Sequence, residues 1–383
     1  MTEIRTHDVV VFGATGYTGR LVCEYLRDRD HGRRWAIAGR NRDKLEGVRA
    51  ELDLGDDVGI VIADSDDQAS LDAMAADTRV LCTTAGPYWW YGSGVVAACA
   101  AHGTDYVDLA GETPWMKAMI EAHHEAAVAS GARIVFAGGF DSVPSDLGVY
   151  LLQETAIERH AAPMPRVRMR IRSLRGSGSG GSVASGRAMA RAARDDPSVL
   201  TALIDPFALT GAFEGPEQPT GHKRIEEPGF GGWSGPFMMA TINTKVVHRS
   251  NLLLGHRYGD DFVYDEMILL GPDPGDDSGD MTLDPSRRPG EGPSAEERAA
   301  GHYDIVIRGE NPQGNVVDVE VGADIDPGYG STSQIIGEAA LCLLDTDGPG
   351  GCTTPAAAMG AELIDRLRTH AGVRFDVVDA AEL

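Results

Sequence analysis

The first 150 residues alternate between short apolar runs and longer amphipathic stretches. Val9–Phe12 is apolar throughout and too short for a helix, and Leu21, Val22, Tyr25 and Leu26 then recur at helical spacing. Apolar runs return at Trp35–Gly39, Val58–Asp64, Arg79–Ala85, Asp105–Ala110 and Arg133–Ala137, with helical segments around Ser70, Val95 and Met116 between them. Buried strands separated by helices predict a doubly wound parallel sheet, so residues 1–150 are expected to form one α/β domain.

The period changes after residue 150. Pro165–Arg172 alternates strictly, with Val167, Met169 and Ile171 on one face and Arg166, Arg168, Arg170 and Arg172 on the other. Further strands are expected over Met238–Val247 and Phe262–Leu270, and Tyr303–Arg308 with Asn315–Val321 reads as a hairpin across Asn311–Gly314. Gly271–Gly292 reads as a long acidic loop, followed by a capping box from Ser294 to Glu297. Residues 151–333 are therefore expected to form an α+β domain of mostly antiparallel sheet. Residues 334–383 carry an apolar helix through Ile335, Ala339, Leu343 and Leu344, a helix over Pro355–Arg368 and a strand-like Arg374–Val377. These last elements are expected to pack back on the first domain.

The first apolar run leads into Gly13-Ala14-Thr15-Gly16-Tyr17-Thr18-Gly19, a strand, a glycine turn and a helix start in that order. Gly13 permits the turn, Gly16 lets the backbone approach a phosphate, and Gly19 lets the helix pack close to the strand. The free N–H groups and positive dipole of the helix start suit a pyrophosphate. The sheet is thus of Rossmann type, and Gly13, Thr15, Gly16, Tyr17, Thr18 and Gly19 are expected to hold a dinucleotide. About 20 positions on, where an acidic residue would accept a ribose hydroxyl, the chain carries Arg40 and Asn41. A guanidinium there can pair with a 2′-phosphate, which favours NADP(H) over NAD(H). The alternative is a solvated basic loop. Asp64 after the third strand and Ala85, Gly86 and Pro87 after the fourth complete the expected cofactor set.

Charge narrows the class. Thirty-four basic against 58 acidic residues give a net charge of −24, which argues against nucleic acid and against anionic lipid as partners. The five cysteines are scattered, without C-x-x-C or metal-like spacing, as expected of buried reduced thiols in a cytoplasmic protein. No bound metal is expected. No apolar run approaches the roughly 18 residues of a membrane span, and no secretory signal pattern is read at the start.

With these motifs in place, the chain resembles the saccharopine dehydrogenase-like oxidoreductases, most closely the branch of trans-acting enoyl reductases. The likeness is carried by Gly13–Gly19, Ala38–Asn41, Ala85–Tyr88 with Tyr91-Gly92, Tyr106–Glu112 and above all Gly139–Gly148. Ser179–Ser182 (with Ser182 where the family has Thr), Asp326–Gly330 and Gly351–Pro355 extend it over nearly the whole chain. The resemblance implies an NADP-binding fold and an α+β substrate domain, and a homodimer through the second domain is expected. It leads to an NADPH-dependent reductase of an acyl or polyketide-like C=C bond, free or carrier-bound, in lipid metabolism. An amino-acid or imine oxidoreductase and a non-catalytic nucleotide-binding scaffold are the rivals.

Loops at the carboxyl ends of parallel strands bind the ligands of such sheets. Tyr88 is the first candidate proton donor and Asp141 the second, Tyr88 being alternatively a stacking or packing aromatic. Tyr91, Ser142, Ser179 and Ser182 are expected to meet substrate, although Ser142 and Ser145 can equally cap a helix that starts with Pro144. The arginine row can line a site for an anionic substrate or form a surface paired with carboxylates.

Overall fold

The computed structural model describes residues 5–29, 31–178, 180–273, 279–282, 286–288 and 290–378. The amino-terminal half runs β1 (His7–Phe12), α1 (Tyr17–Asp28), β2 (Trp35–Gly39), α2 (Arg42–Glu51), β3 (Gly59–Ile62), α3 (Gln68–Ala76) and β4 (Thr78–Thr83). It continues with α4 (Tyr88–Tyr91), α5 (Ser93–His102), β5 (Asp105–Val107), α6 (Thr113–Ser130), β6 (Arg133–Val135) and α7 (Val143–His160). Then follow β7 (Arg166–Ser177), α8 (Gly180–Asp195), α9 (Pro197–Ile204), β8 (Ile225–Glu227), β9 (Gly232–Pro236) and α10 (Ala240–Leu253). The chain ends with β10 (Val263–Gly271), β11 (Gly279–Thr282), α11 (Ala295–Ala299), β12 (His302–Glu310), β13 (Val316–Ala323), α12 (Thr332–Asp345), β14 (Gly351–Thr353), α13 (Pro355–Ala358), α14 (Gly360–His370) and β15 (Arg374–Val378).

Sheet A has seven parallel strands in the order β14-β6-β5-β4-β1-β2-β3. The alternation along β1 explains the layers. Val9 and Val11 enter one core with α1 and α12, while Val10 and Phe12 enter a second with α5 and α6. Chain order reverses between β1 and β4, which opens a crevice outside the carboxyl ends of the strands. The first core continues without a break into α7 and the inner face of sheet B, through Val167, Met169, Ile171, Ile307 and Val321.

Sheet B runs β15-β13-β12-β7-β10-β9-β8, antiparallel except that β7 pairs parallel with β10 and with β11. The inward residues of β7 are those its alternation predicts. Its outward arginines are paired with carboxylates rather than aimed into a cleft. Arg170 is fully buried, with Nε 2.6 Å from Glu227 Oε2 and Nη2 2.8 Å from Asp265. Arg172 bridges Asp304 at 2.8 Å and Glu320 at 2.7 Å, while Arg166 pairs with Asp265 and Arg168 with Glu310. The Phe230 ring lies under the guanidiniums of Arg168, Arg170 and Arg308 at 5.2–5.6 Å.

Three expectations are corrected. Met238–Val247 is not a strand, because α10 covers most of it. Its β-branched residues suggested a strand, but Ile242 and Val246, four apart, pack on the second core, and Val247 packs on the first. The helix expected over Pro355–Arg368 breaks at Met359 into α13 and α14. Finally, β15 does not return to sheet A but forms the edge of sheet B against β13. Before it, α12 covers α1 and β4, β14 extends sheet A, and α13 and α14 lie against α7. Much of the expected loop Gly271–Gly292 lies outside the described residues, and β11 is a strand within it.

Candidate functional site

The glycine turn is built by contact as well as by dihedral freedom. Gly13 has φ +90°, and a Cβ there would lie 2.9 Å from Ala85 N. A Cβ on Gly19 would lie 2.2 Å from Gly13 O, so only glycine lets α1 sit against the turn. The helix starts from Gly16 with no side-chain cap and no acidic residue in its first turn. Its leading N–H groups and dipole thus face the crevice without a protein anion, as a phosphate requires. Thr15 and Thr18 are half-buried beside this turn.

Arg40 stands exposed at the end of β2, and its side chain has no hydrogen-bond or ion-pair partner among the described residues. In so acidic a protein a lone guanidinium fits a 2′-phosphate well. Asn41 caps α2 instead, accepting from Lys44 N at 2.9 Å. Asp64 turns its carboxylate back on Asp66 N at 3.2 Å.

Three loops at the carboxyl edge interlock into one rim. Tyr88 O–H donates to Thr83 O and accepts from Leu109 N, both at 3.0 Å. Tyr88 N–H donates to Glu112 at 3.1 Å, and Asp108 accepts from Ala137 N at 2.9 Å, from Ala110 N at 3.0 Å and from Tyr106 O–H at 2.8 Å. The loops after β4, β5 and β6 are therefore tied into one hydrogen-bonded unit. Burial raises Asp108 to about 7, against the pull of these donors. Burial also raises Glu112, offset by the Ser185 hydroxyl of α8 and by Tyr88 N–H.

Asp141 stands on this rim, one residue before Ser142. Solvent reaches its side chain, yet protein closes around it so densely that lost hydration pushes its carboxyl up to about 6. No hydrogen bond or ion pair engages its carboxylate among the described residues. It is the one rim carboxyl that is both accessible and uncommitted.

Residues 9–135 match the saccharopine dehydrogenase NADP-binding domain family. A Mycobacterium tuberculosis protein provisionally named trans-acting enoyl reductase is 38% identical over 400 residues, covering 95% of this chain and 96% of its own. The trans-acting enoyl reductase of Mycobacterium ulcerans is 36% identical over 401 residues, with the same coverage of both chains. The chain belongs to this family. It is an NADP-binding oxidoreductase, and the turn, the uncapped helix start and Arg40 fit that cofactor. Its fold is that of the saccharopine dehydrogenase (L-Glu forming) of Saccharomyces cerevisiae, with a TM-score of 0.51 at 12% identity over 97% of this chain and 100% of that one. No helix among the described residues is long and apolar enough to cross a membrane.

Within this family member several expected residues take other roles. Tyr88 is buried, packs on Trp115 at 5.5 Å and has both hydroxyl valences used, so it braces the rim rather than offering a proton. Burial raises its phenol further. Ser142 is fully buried and cannot touch a substrate. Its hydroxyl donates to Asn243 Oδ1 at 2.9 Å instead of capping α7. Tyr17 donates its hydroxyl proton to Pro293 O, accepts from Arg298 at 2.9 Å and packs edge-on against Tyr329 at 5.2 Å, so it bolts the start of α1 to the second domain. Ser182 meets Tyr329 O–H at 2.6 Å and so joins this cluster. Ser179 lies outside the described residues. Ala85 adjoins the glycine turn, Gly86 beside it is exposed, and Pro87 is buried. Tyr91 is 37% exposed beside Trp90 at 53%, an aromatic shelf on α4. Sequence reasoning missed Asp108, Glu112, Asn243 and Glu266 as site builders. The first two lie in the Tyr106–Glu112 motif, but nothing local marks the others.

Proposed function

We propose that the protein reduces the C=C bond of an enoyl thioester with NADPH, and that Asp141 is the proton donor. The carrying observation is the lone accessible carboxyl of Asp141 on the rim that also carries the cofactor turn. NADPH, when bound, supplies the hydride for the β-carbon. Asp141 supplies a proton to the α-carbon and regains one from the solvent that reaches it. The Ala137–Asp108 bond ties its loop to the loop after β5, which Tyr88 and Glu112 tie in turn to the loop after β4.

The substrate class is supported by the relatives named enoyl reductases and by the exposed Trp90 and Tyr91, which offer apolar surface to an acyl or pantetheine arm. It is supported also by the arginine row, whose guanidiniums are paired with carboxylates and are not free to bind a polycarboxylate amino acid. A role in lipid metabolism, a cytoplasmic setting consistent with five buried free thiols, and a homodimer through the second domain belong to the same proposal.

The test is NADPH oxidation with crotonyl-pantetheine. Wild type should turn over. Asp141→Asn should lose about 100-fold or more in kcat with NADPH affinity unchanged. Equal turnover in the variant would remove Asp141 from the chemistry.

A further inference from the structure

Directly behind Asp141 lies a buried polar chain contributed by three elements. Ser142 Oγ donates to Asn243 Oδ1 at 2.9 Å, and Asn243 Nδ2 donates to Ser145 Oγ at 3.1 Å and to Glu266 Oε2 at 2.9 Å. Tyr264 O–H donates to Glu266 Oε1 at 2.7 Å. Ser142 and Ser145 stand at the start of α7, Asn243 on α10, and Tyr264 and Glu266 on β10, and all five residues are buried. We propose that Asn243 and Glu266 are positioning residues that fix the stance of Asp141 through Ser142. The proposal rests on Asp141 being the proton donor of the reaction above.

Two features take this beyond packing. Ser142 occupies the N-cap position of α7, where a serine hydroxyl ordinarily bonds the backbone of the first turn, yet its hydroxyl is turned to Asn243. The polarity of the chain is also set from its far end. Both Glu266 oxygens accept, one from Tyr264 and one from Asn243, so Asn243 turns its N–H to Glu266 and leaves the amide oxygen for Ser142. The groups facing Glu266 are Tyr264 and Asp265 of its own strand, Asn243 of α10 and Ser145 of α7, with Met169 of β7 in contact with Ser145 and Tyr264. No cation pairs with it among the described residues, and burial lifts its carboxyl to about 7. A buried carboxylate without a cation opposes folding. Apolar side chains of the same volume would pack there at less cost, but they could not dictate which way the Asn243 amide faces.

The test exchanges the two groups. Asn243→Asp sets a second carboxyl against Glu266, and the pair fits only when one of them holds a proton. Adding Glu266→Gln restores an N–H for the new carboxyl and an acceptor for Tyr264. With crotonyl-pantetheine and NADPH, Asn243→Asp should lose about tenfold or more in kcat relative to wild type at about pH 8, and regain the wild-type value at the same pH as pH falls towards about 6. NADPH affinity should not change. Asn243→Asp/Glu266→Gln should return to within about threefold of wild type at both pH values. Full activity of Asn243→Asp at the higher pH, or a double variant no better than the single one, overturns the proposal.

A second readout needs no turnover. The five native cysteines are buried, so Asp141→Cys adds the one accessible thiol. Its iodoacetamide labelling rate should shift by about threefold or more when Asn243→Asp is added, and return with Glu266→Gln. An unmoved rate overturns the positioning role whatever the catalytic result. If wild type oxidises no NADPH with any enoyl thioester, the reductase reading fails, and the labelling rates alone decide whether Asn243 and Glu266 hold residue 141.

Discussion

At the residue scale the glycine turn was legible, and Tyr88 and Asp141 were legible only as candidate proton donors. Gly13 and Gly19 are identifiable from spacing because no other residue leaves room between the turn, the helix and Ala85. Arg40 is a cation where an NAD site needs an acid, and it is proposed to hold the 2′-phosphate. Arg40→Ala should weaken NADPH binding by about tenfold or more and leave NADH unchanged, because one charge-assisted pair is worth roughly 1.5–3 kcal/mol. A fluorescence titration reads both, and equal loss for the two cofactors would contradict the phosphate role. Tyr88 and Asp141 were both visible as candidates, and only their hydrogen-bond partners rank them. Those partners lie in Thr83 and Leu109, which no local pattern connects. The raised carboxyl of Asp141 also sets a pH limb. A donor must be protonated, so kcat/KM should fall as pH rises through about 6, and the limb should vanish in Asp141→Asn.

At the element scale, periodicity worked where one face alone is buried and failed where partners decide. The alternation of β7 gave its inward residues correctly, because Val167, Met169 and Ile171 enter the core while the arginines meet carboxylates. For α10 the branched residues suggested a strand, and only packing on two cores at once makes it a helix. The edge position of β15 depends on β13, far away in sequence terms. The Arg170–Glu227 pair carries a stability prediction. Glu227→Ala leaves a fully buried guanidinium short of one partner and should cost about 3 kcal/mol. Replacing both residues, as Arg170→Met/Glu227→Leu, should cost less than the single change. Denaturant unfolding of the two variants checks this, and a double variant less stable than the single one would contradict the buried-pair account.

At the scale of the whole molecule, two units were read from the change of period at residue 150, and their shared core was not. Sheet A, α7 and sheet B meet in one apolar cluster, and Tyr17 bolts α1 to the loop before α11. Such contacts join residues whose separation leaves no trace in local pattern. Charge acts at this scale too. A net charge of −24 repels itself in the compact state, so added salt should raise the unfolding temperature by about a degree from low ionic strength, an effect of order 1 kcal/mol. The buried carboxyls give a matching pH dependence. Asp108, Asp146 and Glu266 are each raised to about 7, so the folded chain binds more protons than the unfolded chain above about pH 4. Their contribution to stability therefore falls as pH rises from about 4 to about 7 and is flat beyond it. A rising melting temperature across that window would contradict their raised carboxyls.

The central claim is that a hydride from NADPH reaches an acyl C=C bond in this crevice. The direct measurement is turnover of crotonyl-pantetheine with NADPH deuterated at the transferable position, with the product read by mass spectrometry. The account predicts saturated butyryl-pantetheine carrying one deuterium at the β-carbon and a solvent-derived proton at the α-carbon. A thioester recovered unsaturated and unlabelled, while the same protein oxidises NADPH with an imine-forming pair such as glutamate and an amino-acid semialdehyde, would contradict it.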